Sequence, residues 1–506
     1  MLKVRKTITA SGKTAIQVVK YEREKTLIIK HLGSAGSDEE RKRLIELANS
    51  FIISYEKLTP LFPEALGLNS HKYNLVAVEN LTFTKVYHSF AYEFLSYFYD
   101  LNGFGELNNA FLKDLSIIRI IQPASKLKSI KLIREYFGKK YSTISIYKRL
   151  LKIVNLSSKI QDKAIAFAKK YLDFKFTLVF YDVTSLYFET DKDDEFRKFG
   201  YSKDGRSNQP QILIALVVNE DGYPVSVSLF EGSRFEGCTI IPSILQFKSQ
   251  YRIKNLTVVA DAAMLSFDNI NELKKHGINY IVAARVSSLS EELMEKIIRK
   301  LNKKEGIYFR EETDRGILIC DYSRKRAAKD KADRLKQIAK AKKYLENSKS
   351  YLKKPRFLKE LKKSSYILNE ELIKKDELMD GIKGYYTNLK NLKSRLIIQR
   401  YKDLWRVEKA FRMAKSDLLA RPVYHFKKQN IKAHILIVFT SLCISKAIEL
   451  FSGLSIQKVK EEILKILDIQ FKDKISNKIF LRRMDTSKNP MAQFIHKLKS
   501  KHILKV

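Results

Sequence analysis

The spacing of apolar residues changes character along this chain, and the changes mark its parts. Near the start, two short alternating stretches, Ala15-Ile16-Gln17-Val18-Val19 and Thr26 to His31, predict a small sheet, followed by a charged helix from about Asp38. From about 77 to 175 the repeat is mostly helical. Within it, Ser125 to Phe137 reads as a helix stopped by Gly138, Lys139-Lys140-Tyr141 as a turn, and Ser142 or Thr143 as the cap of a second helix. That second helix is expected to place Ile144, Tyr147, Leu151 and Val154 on one face, with Lys148, Arg149 and Lys152 mostly away from it. The pair is either a helix-turn-helix, presenting Lys148 and Arg149 to a major groove, or an ordinary helical hairpin.

At about 174 the period shortens to two. Phe176 to Phe188 (FTLVFYDVTSLYF) is rich in β-branched and aromatic residues, and Gln211 to Asn219 and Val225 to Phe230 make two more strands joined at Asp221-Gly222. A helix near Thr239 to Ser249, the strand Leu256 to Ala260, a helix from about Phe267 to His276 and the strand Tyr280 to Ala284 complete the series. The order β-β-β-α-β-α-β predicts an α/β, ribonuclease-H-like core: a mixed five-stranded sheet with flanking helices. About a hundred residues then intervene, with a hairpin at Gly306 to Tyr322, a Lys-rich block from Arg324 to Lys363 and a strand-like piece near Gly384 to Leu389. The block is either a solvated helical hairpin or a DNA-facing arm. The core resumes with a helix from about Ser394 to Ala420, ended by Arg421-Pro422, and an apolar helix around Ile435 to Phe451 that should cover the sheet. The expected parts are 1–60 (small, β-containing), 61–173 (helical), 174–290 (core, first part), 291–391 (insertion domain), 392–455 (core, second part) and 456–506 (basic helical tail).

Charge changes the picture most. The chain has 506 residues, with 96 Lys plus Arg against 56 Asp plus Glu, a formal net charge of +40. Such an excess favours a polyanionic partner, because cations that displace condensed counterions gain affinity for phosphate backbones. The three cysteines, Cys238, Cys320 and Cys443, have no paired spacing, which excludes a zinc ribbon or a disulfide framework and suits a reducing cytoplasm. The opening MLKVRKTITASGK lacks the apolar core of a signal peptide. The most apolar run, Ile435 to Ile444, is too short to span a bilayer, so a soluble, cytoplasmic protein without a membrane partner is expected.

Three acids carry the candidate chemistry. Asp182 stands inside an apolar strand, where a charge is costly unless paired or bound to a cation, and it shares a face with Phe180 and Thr184. Asp261 follows Leu256-Thr257-Val258-Val259-Ala260, at the strand end where ligands of open α/β sheets gather. Glu408 lies on a helix whose seven-residue spacing stacks Tyr401, Glu408 and Lys415, with Arg412 one turn on. Taken singly, each has a structural explanation: a hydroxyl-bonded Asp, a turn Asp, a solvated salt-bridge row. Taken together they suit phosphodiester chemistry, in which two hard cations about 3.5–4 Å apart are gripped by carboxylates from separate elements. No Cys or His cluster and no Walker loop offers another route.

At these residues the chain resembles the DDE-class transposases of bacterial insertion sequences, in the branch with a Tyr–Arg–Glu–Lys signature around the last acid. Tyr401, Glu408 and Lys415 fit its spacing; the Arg position holds Leu404, and Arg400 or Arg412 is left to supply that phosphate contact. YDVTSLYFE, GYSKDGRSNQPQ, GYPVSVSLFEG, VVADAAMLS and ARPVYHFKKQNIKAHILIVF also match, so the resemblance covers about 170 to 450. It implies cut-and-paste movement of a DNA element: binding of double-stranded terminal inverted repeats and target DNA, a homodimeric synapse, and strand transfer. Asp182, Asp261 and Glu408 would hold two magnesium or manganese ions, and Tyr401 and Lys415 would contact phosphates. Trp405 would either stack on a displaced base or serve packing. The alternatives are a ribonuclease-H-like nuclease without strand transfer and an inactive, transposase-derived DNA-binding protein.

Overall fold

The computed structural model describes residues 2–22, 25–56, 78–200, 208–262, 266–346, 354–362, 365–475 and 477–503. The chain forms two units, Met1–Phe90 with Leu464–Ala492, and Ala91–Ile463 with Gln493–Val506. In the first, Leu2–Ile8, Thr14–Glu22 and Lys25–Ala35 make an antiparallel sheet. The helix Asp38–Glu56 closes a small core on it with Leu2, Ile16, Val18 and Ala48. The same unit holds a second sheet in which Asp468–Asp473 lies between Leu81–Tyr87 and Ile479–Arg483. Strand therefore stands where the sequence reads as helical. The Asp468–Asp473 strand is fixed by a distant partner, and by Arg483, whose guanidinium forks onto Asp468 at 2.7 and 2.9 Å.

The second unit includes helices α1 (Ala110–Ile121), α2 (Lys126–Phe137), α3 (Ile146–Val154) and α4 (Ser157–Tyr171). Ser125 Oγ accepts from the Lys128 N–H, and Gly138 ends α2 at φ 71°, as the sequence predicts. The turn that follows is anchored from beneath. Lys139 Nζ (2.8 Å) and the Tyr141 hydroxyl (2.6 Å) both donate to the buried carboxylate of Asp114 on α1. α3, however, starts at Ile146 and turns the opposite stripe inward: Ile146, Leu150 and Ile153 are buried, while Ile144, Tyr147 and Leu151 are exposed. Both stripes are apolar, so helical period alone does not choose between them. Packing of α3 against the long helix at Lys428–Ser452 does.

The β-branched stretch after 174 forms β1 (Leu178–Tyr187), followed antiparallel by β2 (Gln211–Val218) and β3 (Pro224–Glu231). At the β2–β3 turn the Asn219 side chain accepts from the N–H groups of Asp221 and Tyr223, and Gly222 takes φ 75°, which costs glycine nothing. Then come α5 (Ile240–Gln250), β4 (Leu256–Ala260), α6 (Phe267–Lys275) and β5 (Ile278–Ala284), with β4 parallel to both β1 and β5. All residues of β2 and β4 are buried, as strands covered on both faces must be.

Residues 291–391 add α7 (Glu291–Leu301), the hairpin β6 (Tyr308–Thr313) and β7 (Gly316–Tyr322), α8 (Arg324–Glu346), a strand pair Leu358–Lys362 and Ser365–Leu368, α9 (Glu370–Leu378) and β8 (Ile382–Thr387). β8 pairs antiparallel with both β5 and β7. The stretch thereby extends the sheet to eight strands, in the order β6-β7-β8-β5-β4-β1-β2-β3. Within the Lys-rich block, Arg324–Glu346 is one long helix, α8, and Leu358–Lys362 is the first strand of the pair.

The helix expected from Ser394 to Ala420 is broken. It consists of α10 (Ser394–Lys402), a bend at Asp403-Leu404, α11 (Trp405–Arg412) and a π-helical turn, Met413–Asp417, whose last carbonyl-to-amide link runs from Met413 O to the Leu418 N–H at 3.0 Å. α10 packs over β4 and β5 and α11 over β1 and β2, so one straight rod does not serve both. α12 (Lys428–Ser452) begins earlier than the expected Ile435. By length and composition it is apolar enough to cross a membrane, but 78% of its most apolar stretch is buried inside the protein.

Candidate active site

Sheet register brings the first two acids together. β1 and β4 pair as Leu178↔Thr257, Val179↔Val258 and Phe180↔Val259, a register that, continued by two residues past the last pair, matches Asp182 with Asp261. Neighbouring strands run about 4.8 Å apart. Asp182 is half-buried, and its Oδ1 accepts the N–H of Val183 at 2.8 Å. Asp261, the first residue after β4, is exposed. Its Oδ1 accepts from the Ala262 N–H (2.7 Å) and from the Tyr401 hydroxyl (3.3 Å).

The third acid comes from above. Thr184 and Leu186, on the same face of β1 as Asp182, meet Phe411 and Ala414 from the α11 segment. The Asp182 face is therefore the one that α11 covers, and Glu408 is exposed on that helix. Tyr401 links the two sides. Burial first, then Asp261, then Glu408 push its hydroxyl well above the usual tyrosine range, so both acids act on one oxygen. Among the described residues, no three His, Cys, Asp or Glu side chains are grouped as a ready ligand set for a metal ion.

Asp261 and Tyr401 border a cleft of about 500 Å³ whose other wall comes from residues 285–383. Lys383 on β8 holds its ammonium 4.4 Å from the centre of the Tyr401 ring. Arg326, in the first turn of α8, acts electrostatically on Tyr401, Tyr385 and Lys383. Asp321 on β7 sits close by. It is raised above the usual carboxylate range by burial, with Lys402 (3.7 Å) and the Tyr385 hydroxyl (3.3 Å) as partners. Sequence reasoning missed Arg326, Lys383 and Asp321. They lie in a stretch dense in charge, and only the pairing of β7 and β8 into the sheet singles them out.

The other expected contacts are dispersed. Lys415, half-buried in the π-helical turn, borders the small apolar gap beneath α11 together with Thr184, which puts it on the Asp182 face. Arg412 is exposed and Leu404 is buried, 6% exposed. Trp405 is 50% exposed, with Arg406 over its ring at 5.4 Å, so its packing role is slight. Lys148 and Arg149 are exposed on α3 and do not border the cleft. Arg149 folds back, donating to Ser145 Oγ (3.2 Å) and lying 5.5 Å from the Tyr141 ring. Residues 201–207 of the GYSKDGRSNQPQ segment and 263–265 of VVADAAMLS fall outside the described residues.

Residues 173–444 match the family model described as the transposase DDE domain. The chain belongs to that family. Membership makes it a transposase, an enzyme of DNA cutting and strand transfer, and the matched stretch includes Asp182, Asp261 and Glu408 together with residues 291–391. A solved cryo-EM structure, the piggyBac transposase synaptic complex with hairpin DNA, is similar to this DDE transposase at a TM-score of 0.35 and 10% identity, over 83% of this chain and 75% of that one. No curated protein matches it.

Proposed function

We propose that this transposase moves an insertion sequence by cut and paste, on a ribonuclease-H-like core formed by residues 174–290 and 392–455 and interrupted by 291–391. It would bind double-stranded terminal inverted repeats, pair two ends as a homodimer and deliver them to target DNA. The observation that carries the reading is the register that, continued, matches Asp182 with Asp261 beneath the helix bearing Glu408.

The donor set fits hard divalent cations: three carboxylates, one within a strand, one directly after the neighbouring strand and one on a covering helix, with no soft ligand among them. Asp182, Asp261 and Glu408 would hold two magnesium or manganese ions, whose chemistry is to activate an attacking oxygen and to neutralise a leaving one. The protein supplies position. β1 fixes Asp182 and the end of β4 carries Asp261, while the bend at Asp403-Leu404 turns α11 over β1 and β2. Tyr401, kept protonated by its surroundings, donates to Asp261 and would turn that one proton to a phosphate oxygen when DNA binds; Lys415 and Arg412 would be the further phosphate contacts. In the first step a water oxygen bonds to phosphorus and the 3′ oxygen departs, taking up a proton. In the second, that 3′ hydroxyl bonds to a phosphorus of the other strand or the target, and one 3′ oxygen leaves for each joint made.

The test is joining, not cutting alone. Purified protein is incubated with magnesium or manganese, a plasmid, and labelled DNA carrying the repeats that flank its gene. Labelled ends covalently inserted in the plasmid are expected. Cuts without insertions would leave a nuclease, and neither product would leave a DNA-binding protein.

A further inference from the structure

Arg412 aside, the bend between α10 and α11 brings acids to the proposed site but little uncommitted positive charge. Leu404 is buried, Arg406 pairs with Asp403 (3.4 Å) and lies over Trp405, and Lys402 pairs with Asp321. A phosphate drawn toward Asp261 would be held better by further cations facing that acid. The opposite wall of the cleft provides two, from different elements of the 291–391 stretch: Lys383 on β8, and Arg326 on α8, whose Nε also pairs with Asp330 (3.4 Å); both are within electrostatic reach of Tyr401. They are also within reach of each other. Burial lowers the Lys383 ammonium first and Arg326 lowers it further, partly offset by Asp261 and Asp321, so two like charges are held together beside a carboxylate. An anion entering between them relieves that repulsion.

The wall is built to hold this pair in place. Gly381, directly before β8, donates its N–H to Asp330 on α8 (3.1 Å) and accepts the Ser323 N–H (3.0 Å). Its φ is 83°, and a Cβ there would meet Ala327, the Ser323 carbonyl and the Tyr322 ring at 2.7 to 2.8 Å. Further along α8, the buried Arg334 is ion-paired with Asp380 and with Glu377. The start of α8 is thus clamped onto the start of β8, and Arg326 and Lys383 with it.

We propose that Arg326 and Lys383 form the cationic half of the DNA-phosphate site facing Asp261, so that residues 291–391 complete the proposed catalytic cleft rather than merely interrupting the core. This inference rests on the reading of that cleft as the strand-cutting site. The test measures binding of a short fluorescein-labelled duplex over a range of salt concentrations, together with magnesium-dependent cutting, for Arg326→Ala, Lys383→Met, Arg326→Lys and Lys336→Met. Lys336, on the same helix and 77% exposed, does not border the cleft. Removing either cation is expected to lower the slope of log K against log salt by about 1 and to slow cutting by about tenfold. Arg326→Lys should recover most of both, and Lys336→Met should leave the rate of cutting unchanged. The proposal is overturned if Arg326→Ala and Lys383→Met alter only the melting temperature, or if Lys336→Met slows cutting equally. Unchanged slopes in a protein that still cuts would sink this inference alone; a wild-type protein that never cuts DNA would sink the reading beneath it.

Discussion

Two places in the larger unit gather positive charge, and they treat it in opposite ways. Behind the π-helical turn, Arg119, Lys126, His425 and His434 crowd together, each 9% exposed or less. Arg119 and His434 have fixed destinations there. Arg119 Nη1 gives to the carbonyls of Leu418 (2.9 Å) and Leu419 (3.1 Å) and Nη2 to that of Ala124 (3.3 Å). His434 bridges the Ala420 carbonyl (3.0 Å) and Lys126 (3.1 Å), with the His425 ring edge-on to it at 5.8 Å. Burial lowers all four groups, Arg119 to about 10 and His425 to about 4, and holds the histidines neutral. At the cleft, Lys383 is only half-buried and Arg326 is exposed, with its Nε paired to Asp330 (3.4 Å), and both line the wall that faces Asp261. What marks a polyanion site is where the N–H groups are committed, and a count of cations does not reveal it.

The comparison is broken most forcefully on the cleft side. Asp182→Asn, Asp261→Asn or Glu408→Gln should each reduce DNA cutting by about a thousandfold or more while leaving the melting temperature nearly unchanged. The buried cluster should behave in the reverse sense. Arg119→Met leaves three carbonyls without their donor, and urea denaturation should show a loss of about 4 kcal/mol.

Acid sharpens the same contrast. His425 titrates near 6.5 when unfolded and near 4 in the fold, so the unfolded chain takes up the proton first as pH falls. The stability it contributes is complete above pH 6.5 and is lost between there and pH 4, by about 3 kcal/mol. His434 acts in the same direction. Denaturation midpoints that stay flat across that window would contradict the assignment of a neutral, buried cluster. The smallest effect belongs to α3. Lys148→Ala should lower the salt slope of DNA binding by no more than about 1, whereas Arg149→Ala, which removes the link to Ser145 and Tyr141, should shift the melting curve and spare the slope.

Much of the sheet is legible in the sequence because its residues state their own environment. FTLVFYDVTSLYF and LTVVA are β-branched runs that only a doubly covered strand tolerates, and a charge inside the first, or just past the second, has no apolar explanation. Elsewhere the deciding contact is remote. SRLIIQRYKDLWRVEKAFRMAKSD keeps a helical repeat through the bend at Asp403-Leu404, which follows from packing over different strands. The inward face of α3 is undetermined by its own residues, since Ile144, Tyr147 and Leu151 are as apolar as Ile146, Leu150 and Ile153. Strand Asp468–Asp473 finds Leu81–Tyr87 across 386 residues, as between Gln470 and Thr84. Arg326 and Lys383 are two basic residues among dozens until β8 joins the sheet.

Asp182, Asp261 and Glu408 are proposed to converge on shared divalent ions. Iron(II) with ascorbate and peroxide, substituted for magnesium, generates hydroxyl radicals that cut a polypeptide only beside the bound metal. Three sets of fragments, ending near 182, 261 and 408 and suppressed together by excess magnesium or by Asp182→Asn, are predicted. Cuts near 182 and 261 with none near 408 would contradict a single three-carboxylate site.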